Sequence, residues 1–126
     1  MIYSPDVPVF RDDEGYLLEE PYKVAFISAP AVNAGVVLSR RQGTIQDVER
    51  IMQNRAERVI NIASSRGHTR LVLGAWGTGV FRCPVEVVAR VFHSLLRTQG
   101  LGNHFKQIVF AIPDGAHSQA FEWVFR

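Results

Sequence analysis

Three short apolar runs limit what this chain can fold into: Val24-Ala25-Phe26-Ile27, Leu71-Val72-Leu73 and Ile108-Val109-Phe110-Ala111-Ile112. Each is too short for a core helix and lacks polar alternation, so each reads as a strand buried on both faces. Long segments with helical spacing separate them. Thr44 is a good N-cap with Asp47 three residues on, close to a capping box, and Ile45, Val48, Met52, Ala56, Val59 and Ala63 fall on one helical face. Gly67 supplies the stop. Pro84 fits the first turn of a second helix, whose core face is Val85, Val88, Ala89, Phe92, Leu95 and Leu96, with Gly100 and Gly102 ending it. Pro113-Asp114-Gly115 closes the third strand, and His117 to Arg126 reads as a terminal helix facing Phe121, Val124 and Phe125 inward. Buried strands alternating with amphipathic helices predict an α/β layered fold with a mostly parallel sheet. In such sheets ligands bind at the carboxyl ends of strands, which points to the loops after Ile27, Leu73 and Ile112.

The first 22 residues are of another kind. Pro5 and Pro8 exclude a helix and a central strand, and Asp12-Asp13-Glu14-Gly15 is a turn signal between apolar flanks. Residues 1–22 read as an extended arm or edge hairpin, and residues 30–43 as a loop holding Asn33, Gly35 and Gly43. No internal repeat or linker divides the 126 residues, so they form one domain.

Composition narrows the function classes. With 47% hydrophobic and 21% charged residues the chain can build a core. No apolar run approaches the roughly 18 residues of a membrane helix, so no membrane role is expected. The segment after Met1 matches neither a signal nor a transit peptide, and the single Cys83 permits no internal disulfide, which together predict a cytoplasmic protein. A net charge of +2, from 14 Lys+Arg against 12 Asp+Glu, is too small to indicate nucleic acid. Arginines do gather in residues 40–70, as Arg40, Arg41, Arg50, Arg55, Arg58, Arg66 and Arg70. A solvated helix face accounts for them, and an anionic partner such as a polymer of ADP-ribose or RNA is the sharper reading. His68, His93, His104 and His117 are scattered without ligand spacing, so no metal site and no cofactor are expected.

The sharpest local feature is Gly74-Ala75-Trp76-Gly77-Thr78-Gly79-Val80-Phe81, between a predicted strand and a predicted helix. Glycines let a backbone approach a ligand closely, and successive N–H groups can form a nest for phosphate oxygens. Thr78 offers a hydroxyl donor, and Phe81 an apolar face for a ribose or base. Trp76 either stacks on a base or packs beneath the loop. Three glycines after a strand also make an ordinary tight turn. The run is neither a Walker loop, since no Lys-Ser or Lys-Thr follows, nor a dinucleotide Gly-x-Gly-x-x-Gly fingerprint.

This loop, followed by Pro84 and an Ala/Val-rich helix, resembles the second phosphate loop of macro domains. Together with Ile2-Tyr3-Ser4-Pro5-Asp6-Val7-Pro8-Val9-Phe10-Arg11-Asp12 and Ser28-Ala29-Pro30-Ala31-Val32-Asn33, it looks like the microbial poly(ADP-ribose) glycohydrolase branch, C-terminal portion. The resemblance covers nearly the whole chain. It implies a macro-like three-layer α/β/α fold with the family's N-terminal strands absent. It also implies ADP-ribose or poly(ADP-ribose) as ligand, a loop wrapping the diphosphate, and binding residues Gly74 to Phe81, with Pro30 and Asn33 on a neighbouring loop.

One departure bears on mechanism. The branch carries a Gly-Gly-Gly run and a Gln-Glu-Glu motif whose glutamates supply the acid chemistry. This sequence has neither. Its one Glu-Glu pair, Glu19-Glu20, follows Leu18 and reads as a solvated hairpin end. The expectation is therefore a binding module with no catalytic residue. One alternative is a glycohydrolase completed by a partner chain or a missing N-terminal segment, and another is an oligomerising or RNA-binding remnant. A sheet lacking strands exposes edges, so a second copy or a complementary chain is expected as partner. Cys83, near a helix start, can have a lowered thiol pKa there, but it reads as a small buried residue. Asp114 reads as a helix cap.

Overall fold

The computed structural model describes residues 1–126. Strands β1 (Ile2–Arg11) and β2 (Leu17–Ser28) form an antiparallel hairpin, turned at Asp12–Gly15 where Gly15 takes φ +89. Helix α1 (Ala34–Ser39) precedes the long helix α2 (Ile45–Ser65). Strand β3 (Arg70–Leu73) leads through the glycine loop to α3 (Val85–His93), which runs on as a π-helical turn over Ser94–Thr98. Strand β4 (Gln107–Phe110) pairs with β3 in parallel, and α4 (Gly115–Phe125) ends the chain. The fold is α/β with mixed strand directions. Its four strands lie in two separate two-stranded ladders. No helix is long and apolar enough to cross a membrane.

The helices form where their local chemistry directs. The N–H of Thr44 donates to Asp47 Oδ2 at 2.9 Å and Asp47 N–H donates to Thr44 Oγ1 at 3.3 Å, completing the capping box. The core face of α2 is Val48, Met52, Ala56, Ile60 and Ala63. It packs on Val88, Phe92, Leu95 and Leu96 of α3 and the following turn within one core. Asp114 caps α4 by accepting from His117 N–H at 2.9 Å, so that helix starts two residues before the sequence suggests. Phe110 joins β4 to the helices, with ring centroids 5.5 Å from Phe92, 4.9 Å from Phe121 and 5.2 Å from Phe125.

The strands depart from expectation. Leu71, Leu73, Ile108 and Phe110 face the core, but Val72 is 69% and Val109 42% exposed on the opposite face. The run Leu71–Leu73 is thus half bare rather than fully buried, and the third strand ends at Phe110, short of Ile112. The run Val24–Ile27 belongs to β2 of a long hairpin paired only with β1, where Val24 and Phe26 are exposed. A run without polar alternation marks strands that some sheet covers on both faces, and only one face is covered by these 126 residues. The stretch 30–43 is not all loop. Asn33 Oδ1 accepts from Val36 N–H at 3.1 Å and starts α1, a short helix with too few turns to leave a periodic pattern.

Candidate functional site

The loop from Gly74 to Phe81 leaves the carboxyl end of β3 and enters α3 through Pro84, which holds φ −59 at the helix N-cap. Its shape is fixed by hydrogen bonds at its base. Cys83 N–H donates to Gly77 O at 3.0 Å, Arg82 N–H to Gly79 O at 2.9 Å, and Trp76 N–H to Gly74 O at 2.8 Å. At its tip the N–H groups of Gly79, Val80 and Phe81 donate to no backbone carbonyl. These three consecutive N–H groups precede Pro84, the N-cap of α3, and consecutive backbone donors of this kind are the chemistry from which anion sites are made.

The two glycines at the centre of the loop do different work. Gly77 takes φ +82, and a Cβ there would lie 2.6 Å from Ala31 Cβ and 3.2 Å from Cys83 Sγ. Gly79 has nothing within 4 Å of such a Cβ. Gly77 is therefore required by the fold, while Gly79 faces open space.

Segment 29–35 lies along this loop. Trp76 Nε1 donates to Ala29 O at 3.2 Å, Cys83 Sγ to Val32 O at 3.1 Å, and Gly35 N–H to Phe81 O at 3.0 Å. The structure thus brings the stretch containing Pro30 and Asn33 beside residues 74–81. Pro30 is exposed, and its carbonyl accepts from Arg55 Nη1 at 2.9 Å. Asn33 has its side-chain oxygen engaged in capping α1, leaving its amide nitrogen as the free end. Trp76 is half-buried and anchored by its ring N–H, and Ala75 and Phe81 are packed against the core. Val80 projects from the tip, 91% exposed.

Some details differ from the sequence reading. The Thr78 hydroxyl donates to Ala75 O at 2.8 Å, so its proton is spent inside the loop and only its lone pairs face outward. Cys83 is 3% exposed, and burial pushes its thiol pKa up, opposite to what a helix start does to an exposed thiol. Glu19 and Glu20 are exposed on β2, in the half of the hairpin near its turn. Several arginines have local tasks: Arg50 pairs with Asp47 at 3.4 Å, Arg90 with Glu49 at 3.7 Å, and Arg66 lies 5.0 Å over the Tyr3 ring. Sequence reasoning also missed Arg82, exposed at φ +54 immediately after the loop, with its stem against Gly35. No sequence signal marks a left-handed arginine.

No protein-family model and no curated protein matches the chain. Solved structures do. The poly(ADP-ribose) glycohydrolase of Thermomonospora curvata is 44% identical, with a TM-score of 0.90 over 98% of this chain and 46% of that one. That of Deinococcus radiodurans, solved in complex with ADP-ribose, is 43% identical, with a TM-score of 0.85 over 98% of this chain and 50% of that one. The chain belongs to the bacterial poly(ADP-ribose) glycohydrolase family. It corresponds to a C-terminal portion of that family and spans about half the length of these relatives. The Thermomonospora curvata protein bound to the inhibitor ADP-HPD matches as well, at 44% identity and a TM-score of 0.88 over 96% of this chain and 47% of that one. The agreement extends to the fold, so the α/β architecture is that of this macro-type family even where its sheet is half bare.

Proposed function

We propose that residues 74–81 hold the diphosphate of ADP-ribose, free or as a unit of poly(ADP-ribose), and that this chain acts as a binding module. The observation carrying this reading is the row of unspent N–H donors at Gly79, Val80 and Phe81, beside an unobstructed Gly79 and ahead of the α3 N-terminus. Backbone donors fixed by the loop's own hydrogen bonds lose little on meeting an anion, because they need no reorganisation. Pro30 and Asn33 belong to the segment hydrogen-bonded to this loop through Ala29, Val32 and Gly35, and the amide nitrogen of Asn33 is free to donate to a ribose or phosphate oxygen. Kinship with a glycohydrolase solved in complex with ADP-ribose supports the choice of ligand.

Isothermal titration of the purified chain with ADP-ribose tests it. Heat of binding and a raised melting temperature are expected for the parent, with both lost in Gly79→Glu, where a carboxylate would occupy the phosphate's approach. Neither heat nor a melting shift at millimolar ADP-ribose would refute the reading.

Kinship favours hydrolysis as a second reading, with the acid chemistry supplied from outside these residues. No carboxylate pair stands beside the loop, since Glu19 and Glu20 lie on the hairpin, so the chain alone is expected to release no ADP-ribose from poly(ADP-ribose). Release by the purified chain would overturn that ranking. The expected setting is the cytoplasm.

A further inference from the structure

Arg82 stands where a glycine would be easier. It takes φ +54, in the left-handed region that a side chain crowds. Its N–H donates to Gly79 O at 2.9 Å, closing a turn over Gly79, Val80 and Phe81. A turn closed in this way keeps its first and last Cα atoms within about 7 Å, so Arg82 sits beside the three N–H donors. Gly35 is the second residue of α1, a position where alanine would make the better helix. The two exceptions fit each other. A Cβ on Gly35 would lie 3.3 Å from Arg82 Cδ, 3.6 Å from its Cβ and 3.7 Å from its Cγ, so the bare glycine is the bed on which the arginine stem lies.

The guanidinium at the end of that stem has no task within the chain. Arg50 and Arg90 pair with carboxylates, Arg55 donates to Pro30 O, and Arg66 lies over the Tyr3 ring. Arg82 makes no ion pair, donates no side-chain hydrogen bond and lies over no aromatic ring. It is also the one charged residue from Gly74 to Cys83. A strained backbone position whose side-chain end meets nothing inside the chain points to a role with a ligand.

We propose that Arg82 is a specificity-determining residue of this site, its guanidinium taking a non-bridging oxygen of the diphosphate held by the N–H groups of residues 79–81. The proposal rests on the loop reading above. The N–H groups supply geometry without net charge, and Arg82 supplies the charge. A planar guanidinium meets phosphate oxygens with two parallel N–H bonds, stronger than bonds from a neutral donor. Because the stem already lies against Gly35, less rotamer freedom is lost when the ligand binds. The site thereby selects a dianionic diphosphate over an uncharged nucleoside or sugar.

Calorimetry with ADP-ribose at about 0.01 M and about 0.15 M salt, on the parent and two variants, tests it. Arg82→Met keeps an unbranched stem on Gly35 and removes the charge. It should melt like the parent, bind ADP-ribose roughly tenfold or more weakly, and lose most of the parent's salt dependence. Arg82→Lys should recover part of the affinity and most of the salt dependence, since it restores the charge without the planar fork. If Arg82→Met binds like the parent while Gly79→Glu abolishes binding, the proposal is overturned and the loop reading stands. Affinity lost in step with a lowered Tm would also overturn it, by making the arginine's role structural. A parent that binds no ADP-ribose would sink both readings.

Discussion

Gly77→Ala separates the fold's demand on the loop from the ligand's. The parent residue takes φ +82, where a side chain costs about 1–2 kcal/mol. The added methyl would also stand 2.6 Å from Ala31 Cβ and 3.2 Å from Cys83 Sγ, well inside contact distance. Ala31 and Cys83 are 7% and 3% exposed and belong to the core, so neither can move without disturbing it. Overpacking of this kind costs about 1–3 kcal/mol. The two effects are physically distinct, one torsional and one steric, and together give about 2–5 kcal/mol. For a chain of this size that lowers Tm by roughly 10 °C or more, measurable by scanning calorimetry and by urea titration. Gly79→Ala is the internal control. Its Cβ meets nothing, and stiffening the unfolded chain makes it neutral to stabilising, by up to about 1 kcal/mol. A Gly77→Ala variant within about 0.5 kcal/mol of the parent would refute the reasoning, because both costs are then absent.

Cys83 is buried with its thiol pKa raised, so a thiol reagent at neutral pH should label it only as fast as the protein unfolds, and added urea should release the protection. Rapid labelling of the native chain would contradict the core position assigned to it. Thr44→Ala removes the side-chain half of the capping box and should cost about 1 kcal/mol in a urea melt. Asp47 and Asp114 are held below the ordinary carboxylate range, each chiefly by a backbone N–H bond, from Thr44 and His117 respectively. A depressed folded pKa means that their stabilisation is complete above the ordinary aspartate value and is lost as pH falls through the lower folded value. Asp47→Asn and Asp114→Asn should therefore flatten the acid limb of the stability–pH curve and leave its neutral region without slope, as followed by melts across that range.

Legibility from sequence tracked how local each cause is. The capping box of α2 and the Asp114 cap are set by residues three apart and appear where the letters place them, and Pro84 stands at the N-cap of α3, one residue before the first turn expected for it. Helix periodicity also survived, because the stripe Val48, Met52, Ala56 and Ala63 needs only one covered face; Ile60 completes it in the structure. The strands were misjudged in a way that has a physical cause. An apolar run records the burial a strand is suited to, and Val24–Ile27 and Leu71–Leu73 are suited to a sheet wider than the one these residues build. The short α1 left no period to read. Within the loop, composition pointed to a phosphate cradle, but the division of labour between Gly77 and Gly79 depends on Ala31, nearly fifty residues away. Thr78 is the exception to locality: its hydroxyl looked free, yet it donates to Ala75 O only three residues back, because the turn that brings them together left no mark in the letters.

Every contact that shapes the loop comes from one neighbouring segment: Gly77 lies against Ala31, Cys83 against Val32, Trp76 against Ala29, and Phe81 against Gly35. These tie the loop to the core through residues 29–35, so its donor arrangement is expected to be in place before any ligand arrives. ADP-ribose should then bind the chain without first reshaping the loop, and Gly79→Glu should abolish the heat of binding while leaving Tm close to that of the parent, since a side chain there meets nothing. If Gly79→Glu folds like the parent and leaves binding intact, the donors at Gly79, Val80 and Phe81 are not the ones that hold the diphosphate.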